Sequence, residues 1–170
     1  MCNQAGVEDL NNRSTLHDVH TREGNLGTFK TTYRVRWSDV DAAQVVHHPN
    51  YLRFFQIAEE EFYEHLGLGL GYAYFVKHGI WLPRTKVFCQ YHTPSNLGDT
   101  LEISLIIKDI REKSIKYDFL VKKKGSETLV AEGYVVAVAT DKKMKKSIEI
   151  PHEIVEKLKT FRNTKGNNQL

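Results

Sequence analysis

The chain has 170 residues, with 41% hydrophobic and 26% charged side chains, which indicates one globular domain with a single core. Its net charge of +3 is too small to indicate nucleic-acid binding, no apolar run approaches a membrane span, and the N-terminus lacks an apolar signal core. Cys2 and Cys89 are the only cysteines, and their surroundings favour neither a disulfide nor a metal framework. We therefore predict a cytoplasmic protein without a nucleic-acid partner or a membrane span.

The two ends of the chain differ from its middle. Residues 1–27 are polar, mix both charge signs and show no periodicity, so a flexible N-terminal arm is predicted. His17 and His20 in this arm could bind a metal, but two histidines on an arm are weak evidence for a site. Residues 163–170 are predicted to be a disordered tail, which leaves one domain over residues 28–162.

The longest helix is predicted over residues 50–66. Its apolar side chains recur at steps of three and four, and the stripe is rich in aromatic residues. Pro49 fits the first helical position, with His48 as the N-cap and Gly67 as the end of the helix. Because it carries so many aromatic residues, this helix is expected to be largely enclosed by the rest of the fold.

Alternating apolar and polar residues predict strands, with an irregularity at Pro83, over residues 29–37, 80–91, 101–110, 115–123 and 129–140. Shorter helices are predicted over residues 72–77 and 151–161. The last strands are joined by links of hairpin length, so the sheet must be mainly antiparallel. This order predicts an α+β fold, with a long helix packed on a curved antiparallel sheet of about five strands.

Residues 39–51, which read D-V-D-A-A-Q-V-V-H-H-P-N-Y, combine acids, histidines and a helix start. A carboxylate can activate water or attack a carbonyl carbon, and a backbone N–H at a helix N-terminus can stabilise the resulting oxyanion. Asp41 precedes a turn of small residues, and His48, Pro49 and Asn50 open the helix. The loop can therefore bring a carboxylate and an N–H together, which favours hydrolysis of an acyl thioester.

Other interpretations of these residues remain open. An aspartate in a loop is most often a turn or cap residue. Asp39, Asp41, His47 and His48 could bind zinc or iron, although adjacent histidines rarely point to the same place. The acids at residues 59–61 are typical of a solvated helix face, with room for one of them to turn inward.

The same segment resembles the signature of the hotdog-fold acyl-CoA thioesterases of the 4-hydroxybenzoyl-CoA thioesterase type, including the YbgC-like branch. That signature is close to D-T-D-x-x-G-V-V-Y-H-x-N-Y, and the matching positions are Asp39, Asp41, Val45, Val46, His48, Asn50 and Tyr51. Residues 91–101, Y-H-T-P-S-N-L-G-D-T-L, resemble the family's Y-x-x-P-A-x-x-G-D-x-L. The resemblance covers about residues 29–160 and implies a hotdog thioesterase, for which we expect no metal and no cofactor.

The resemblance also implies roles for individual residues. Asp41 falls on the catalytic aspartate, which acts as a general base or as a nucleophile. The backbone N–H of His48 falls on the group that polarises the thioester carbonyl, and its imidazole is expected to help orient substrate or water. Asp39 is expected to be a structural hydrogen-bond partner. Expected contributors to substrate binding are Val46, Asn50, Tyr51 and Lys86, the last as a cation for the coenzyme A phosphates.

Two departures from the family pattern bear on the loop. The family's glycine is Gln44 here, and glutamine makes a positive φ costly, so the loop could differ in shape or Gln44 could donate a hydrogen bond. The tyrosine before the motif histidine is His47 here. Hydrolysis remains the expected reaction despite these changes. They leave open which acyl group the protein prefers.

Assembly and substrate carrier are further expectations. Hotdog domains pair their sheets edge to edge, so the resemblance implies a homodimer, often stacked into a homotetramer, with active sites between protomers. The predicted substrate is an acyl-CoA. Alternatives are an acyl-ACP thioesterase with basic clusters as a docking patch, a hotdog hydratase or dehydratase, and a non-catalytic acyl-binding module.

Overall fold

The computed structural model describes residues 26–69 and 73–164. Cys2, His17, His20 and nearly all of the predicted arm and tail lie outside the described residues. The helices are α1 (Asn50–His65), α2 (Ala73–His78) and α3 (His152–Asn163), preceded by a 3-10 turn at Trp37–Asp39. The strands are β1 (Thr28–Arg34), β2 (Ile80–Trp81), β3 (Arg84–Tyr91), β4 (Thr100–Ile110), β5 (Ser114–Lys123), β6 (Leu129–Val138) and β7 (Thr140–Asp141).

Five strands form one antiparallel sheet in the order β1-β4-β5-β6-β3. The long hairpins from β4 to β6 follow from short turns between strongly alternating segments. The remaining strands, β2 and β7, form a separate antiparallel pair. The predicted α+β class and the five-stranded antiparallel sheet are confirmed, and β3 lies at one edge of that sheet.

Helix α1 packs its aromatic face on the sheet. The Phe55 ring stacks on Phe119 of β5 at 4.5 Å, and Phe62 contacts Phe29 of β1. The helix can approach this closely because β6 has a glycine beneath it, since a Cβ on Gly133 would lie 2.8 Å from the Phe55 ring. Deleting one such buried ring typically costs about 3–5 kcal/mol. The opposite face of α1 carries polar residues and is exposed, so the enclosure of the helix is less complete than predicted.

The boundaries differ from the predictions where the backbone turns. The first strand ends at Arg34, three residues before the predicted end, because the chain bends into the 3-10 turn. The strand predicted over residues 80–91 is divided at Pro83, which has no N–H to donate to a sheet. The strand predicted over residues 129–140 is likewise divided into β6 and β7. None of the described helices has the length and apolar character needed to span a membrane.

Candidate active site

The loop between β1 and α1 is a tight turn anchored to the segment after β3. The Asp41 N–H donates to the Val45 carbonyl at 3.0 Å, and the Gln44 N–H donates to the Asp41 carbonyl at 2.9 Å. The Val46 N–H donates to the Ser95 carbonyl at 2.8 Å. These bonds fix the loop backbone against the body of the protein, so Asp41 is presented from a defined position.

Gln44 adopts the left-handed conformation that the family's glycine would adopt freely. Its φ is +63°, so the turn is kept although the residue carries a Cβ. The left-handed region costs a non-glycine residue roughly 1–2 kcal/mol. Gln44 therefore adopts the backbone conformation that the sequence predicted to be costly for glutamine. The loop does not need a different shape to accommodate it.

Gln44→Gly is expected to raise the free energy of unfolding by about 0.5–1 kcal/mol, because glycine relieves the strain but gains freedom in the unfolded chain. Urea unfolding of the two proteins measures the difference. Met144→Gly is the matched control, since Met144 has a φ of +54° outside this loop. A loss of stability in Gln44→Gly alone would show that the glutamine side chain makes contacts worth more than the strain.

Asp41 presents its carboxylate at the surface of the loop. Its Oδ1 accepts a hydrogen bond from the Ala43 N–H at 2.8 Å, and its side chain is 38% exposed. Its Oδ2 lies 3.9 Å from Nδ1 of His47. One oxygen is thus held by the backbone while the other faces an imidazole and solvent, which suits a carboxylate that must exchange a proton or attack a carbon.

Asp39, only two residues away, is fully buried and serves the fold. Its carboxylate accepts hydrogen bonds from the Tyr33 hydroxyl at 2.9 Å and the Arg36 N–H at 2.7 Å, and it forms an ion pair with Arg53 of α1. The structural role expected for Asp39 fits these contacts, because its carboxylate is enclosed by them while that of Asp41 is exposed. In the described part of the chain, no three histidine, cysteine, aspartate or glutamate side chains are grouped closely enough to hold a metal ion.

The start of α1 leaves one backbone N–H available beside the loop. The helix begins at Asn50, so Pro49 is the N-cap rather than the first helical residue as predicted, although its φ of −66° and ψ of −22° are already helical. The His47 carbonyl accepts from the Asn50 N–H at 2.9 Å, which polarises the peptide that carries the His48 N–H. Among the described residues, that N–H has no protein acceptor. It is therefore suited to bind an oxyanion.

Three of the four predicted substrate-binding residues lie at the loop or at the start of α1, and the fourth lies on β3. Val46 and Tyr51 are buried, and burial raises the pKa of the Tyr51 hydroxyl. The Asn50 side chain donates to the Asp39 carbonyl at 2.9 Å, so these three residues shape the loop and the helix start. Lys86 lies five residues before Tyr91 on β3, about 16 Å along an extended strand. The structure brings Val46, Asn50 and Tyr51 to the loop but not Lys86.

Sequence reasoning missed three residues beside the loop or the start of α1, namely Trp37, Leu97 and Tyr91. Trp37 is 81% exposed and lines a cavity of about 240 Å³ together with Leu97 and Asp41. The sequence pattern predicts Trp37 in a strand, because its position at the end of an alternating run gives no sign that the chain turns there. Tyr91 donates its hydroxyl to the His48 carbonyl at 3.3 Å, and its ring lies 5.3 Å from that of Tyr51. The motif at residues 91–101 pointed to this segment without indicating that contact.

Glu59 faces the protein interior, which corrects the main expectation that all three acids of residues 59–61 face solvent. Its side chain is 3% exposed and pairs with Arg84 of β3 at 2.7 Å. Burial raises the pKa of Glu59, and the Arg84 charge opposes that rise. Nearby, the Tyr63 and Tyr117 hydroxyls form a buried hydrogen bond of 2.7 Å. A polar cluster therefore lies under the middle of α1.

Comparison with known families gives this geometry its context. The family model described as the thioesterase-like superfamily matches residues 35–158, which include the loop, α1 and the whole sheet except β1. The chain belongs to the thioesterase-like superfamily. The loop and helix start described above thus lie within the part of this thioesterase that defines its family.

Two relatives and one solved structure resemble this thioesterase over most of their length. The Escherichia coli O6:H1 protein named acyl-CoA thioester hydrolase YbgC is 28% identical over 140 residues, which are 79% of this chain and 98% of that protein. The 1,4-dihydroxy-2-naphthoyl-CoA hydrolase of Nostoc punctiforme is 30% identical over 135 residues, 79% of this chain and 89% of that protein. A crystal structure of a 1,4-dihydroxy-2-naphthoyl-CoA thioesterase from Synechocystis aligns with a TM-score of 0.72 at 22% identity, covering 78% of this chain and 96% of that one.

These findings confirm two predictions. The structural match shows the hotdog fold that the sequence motifs implied. The family and the named relatives establish the chain as a thioester hydrolase.

Proposed function

We propose that this thioesterase hydrolyses an acyl-CoA to the free acid and coenzyme A, with Asp41 as the reacting carboxylate. The observation that carries the proposal is one loop that holds an exposed carboxylate and ends at an uncommitted backbone N–H, beside an open cavity. A relative named acyl-CoA thioester hydrolase supports coenzyme A as the carrier. The acyl group is left open by this observation.

The geometry supports a two-step displacement. Water, with Asp41 as the base, adds to the carbonyl carbon, or Asp41 adds directly and water then cleaves the anhydride. In either route the carbonyl oxygen becomes an oxyanion, and the His48 N–H at the start of α1 is the donor proposed to bind it. With Asp41 as the base, the C–S bond then breaks, and the proton that Asp41 took from water neutralises the thiolate. With Asp41 as the nucleophile, the C–S bond breaks as the anhydride forms, and hydrolysis of the anhydride by water regenerates the carboxylate and supplies the proton that neutralises the thiolate. The exposed His48 imidazole is proposed to help orient substrate or water.

Release of free thiol from a panel of short, long, branched and aromatic acyl-CoAs tests the reaction. We expect turnover of at least one member, and the preferred member identifies the acyl class. If no member is cleaved, the same acyl groups on an acidic acyl carrier protein test the alternative carrier, for which activity should fall steeply with salt. The exposed lysines of residues 142–146 are the candidate docking patch in that case. Binding without turnover of any thioester would overturn the proposal and favour an acyl-binding module.

Cys89 is expected to stay unreactive in such a thiol assay. Burial raises the pKa of its thiol to about 11, so only about one molecule in a thousand carries a thiolate at pH 8. Iodoacetamide labelling of a Cys2→Ser variant, followed by mass spectrometry, should therefore be much slower than labelling of the same protein in urea. Equal rates in the folded and unfolded protein would contradict the burial of Cys89.

A homodimer formed through β3 is part of the proposal. This strand is eight residues long, lies at the edge of the sheet and exposes Val87 and Phe88 by 46% and 42%. A long apolar edge strand is a template for pairing with another strand, and a second copy of this chain offers an identical one. Sedimentation velocity of the protein at assay concentrations tests the dimer. The same measurement tests the homotetramer, which stays a prediction.

A further inference from the structure

His47 lies in the loop between the candidate carboxylate and the candidate oxyanion donor. Its backbone N–H donates to the Asp39 carbonyl at 2.8 Å, and its carbonyl accepts from the Asn50 N–H at 2.9 Å. The backbone of His47 is therefore fixed on both sides by contacts that do not involve its side chain. The family signature has a tyrosine at this position, so the imidazole is a departure that this chain makes from the signature.

A short antiparallel ribbon brings the side chains of Asp41 and His47 together. Val40 and Val46 pair across it, and the Asp41 N–H donates to the Val45 carbonyl. Residues 41 and 47 are therefore diagonal neighbours, close enough for their side chains to meet. Oδ2 of Asp41 lies 3.9 Å from Nδ1 of His47, and the two side chains are 38% and 50% exposed. Catalytic hydrogen bonds are often this long in an enzyme without substrate and shorten when substrate binds.

The groups around His47 distinguish it from the histidine that follows. The Asp39 carboxylate is buried and bound by other groups, so it does not compete for the His47 imidazole. The centroid of the His48 ring lies 4.7 Å from that of His47, and Tyr91 of β3 directs its hydroxyl to the His48 carbonyl. In the part of the chain that the structure describes, His47 pairs with Asp41 alone and the His48 imidazole pairs with no carboxylate.

We infer that His47 is the proton acceptor that works with Asp41 during hydrolysis. This inference rests on the proposed hydrolysis at the Asp41 loop. Oδ1 of Asp41 is occupied by the Ala43 N–H, so Oδ2, the oxygen beside His47, is the one that takes a proton from water. A carboxylate is a weak base near neutral pH, whereas the basicity of imidazole matches neutral pH. Transfer of the proton to His47 therefore returns Asp41 to its ionised, reactive form.

The proton follows one path in each route of the reaction. With Asp41 as the base, water gives a proton to Oδ2 as its oxygen bonds to the carbonyl carbon, and Oδ2 passes that proton to Nδ1 of His47. The imidazolium releases a proton from Nε2 to the thiolate or to solvent water, and exchange with solvent restores the starting tautomer. With Asp41 as the nucleophile, Nδ1 takes the proton directly from the water that cleaves the anhydride.

His47→Ala tests this role by chemical rescue. Under single-turnover conditions with the preferred acyl-CoA, we expect the rate of thioester cleavage to fall about tenfold to a hundredfold, while substrate affinity changes less than about threefold. Added imidazole should occupy the space left at this exposed position and restore most of the lost rate. The molecule 1,2,4-triazole has the same shape but is a much weaker base, so it should restore little.

Two variants serve as matched controls. His47→Phe keeps a ring beside His48 but carries no base and leaves no space, so we expect the same loss of rate and no rescue. The double variant Asp41→Asn/His47→Ala should stay inactive with imidazole, and it also measures cleavage of the thioester by imidazole alone. The backbone hydrogen bonds of His47 are kept in each variant, so their urea unfolding midpoints should match that of the wild type.

Three results would contradict these assignments. A single-turnover rate of His47→Ala equal to that of the wild type would overturn the role of His47 although hydrolysis stands. A loss of rate without rescue by imidazole, or with equal rescue by triazole, would also overturn it, because the side chain would then serve the shape of the loop. Failure of the wild type to cleave any acyl thioester would instead overturn the proposed function itself.

Discussion

Asp41→Asn is expected to lower kcat for the preferred acyl-CoA by about three orders of magnitude, with little change in substrate binding. The amide neither accepts a proton nor attacks a carbonyl carbon. Loss of a general base typically lowers the rate by about two to four orders of magnitude. The Asn oxygen can still accept the hydrogen bond that Oδ1 of Asp41 accepts from the Ala43 N–H. The loop should therefore keep its shape.

The stability of Asp41→Asn is the control for this prediction. Because the Asp41 side chain is 38% exposed, its free energy of unfolding in urea should stay within about 0.5 kcal/mol of the wild type. Affinity for a non-hydrolysable thioether analogue of the substrate should also persist. A variant that binds the analogue normally and keeps more than about a tenth of the wild-type kcat would show that another group performs the chemistry.

Asp39→Ala is expected to be the most destabilising change in the loop, at about 3–5 kcal/mol. It leaves the buried Tyr33 hydroxyl and Arg36 N–H without their acceptor and leaves Arg53 without its counter-charge. Removing one partner of a buried pair costs far more than the pair itself contributes. Urea unfolding of the two proteins measures the cost, and an unchanged m-value would confirm that both unfold from the same compact state.

Arg53→Met provides the matched variant, because Arg53 is half exposed and its loss leaves Asp39 as an uncompensated buried charge. The double variant with Asp39→Ala should be less destabilised than the sum of the two single variants, since the pair is lost only once. A cost for Asp39→Ala below about 1 kcal/mol would contradict the structural role of that carboxylate. Asp39 would then contribute no more to stability than an exposed loop acid such as Asp41.

The elements that could be predicted from sequence are those with a strong periodic pattern. The helix stripe from Tyr51 to Phe62 and the alternation in β4, β5 and β6 each indicate one element type, because a helix and a strand repeat at different intervals. The interruption at Pro83 was also predictable from its missing N–H. The bend at Trp37 was not, since the alternation runs through it. The chain turns where the Arg36 N–H donates to the Asp39 carboxylate, just after Val35 exchanges backbone hydrogen bonds with residues 98 and 99.

The candidate site was predictable where residues adjacent in sequence are adjacent in space. Asp41 and His48 belong to one short loop, so the sequence assigned them to the same segment, and the turn at Gln44 brings Asp41 Oδ2 within 3.9 Å of the neighbouring His47. The inward turn of Glu59 was allowed but could not be assigned, because three consecutive acids look alike until Arg84 is placed beside one of them. Likewise the contact of Tyr91 with the helix start depends on how β3 lies against α1. Such pairings between distant segments are decided by the sheet, not by local pattern.

The most direct test of thioester hydrolysis at the Asp41 loop is free-thiol release from the preferred acyl-CoA by the wild type and by Asp41→Asn, at equal concentrations of folded protein. We predict steady release by the wild type and almost none by the variant. Equal release by both proteins would contradict the assignment of Asp41, and release by neither, across all acyl-CoA and acyl carrier protein substrates, would contradict hydrolysis.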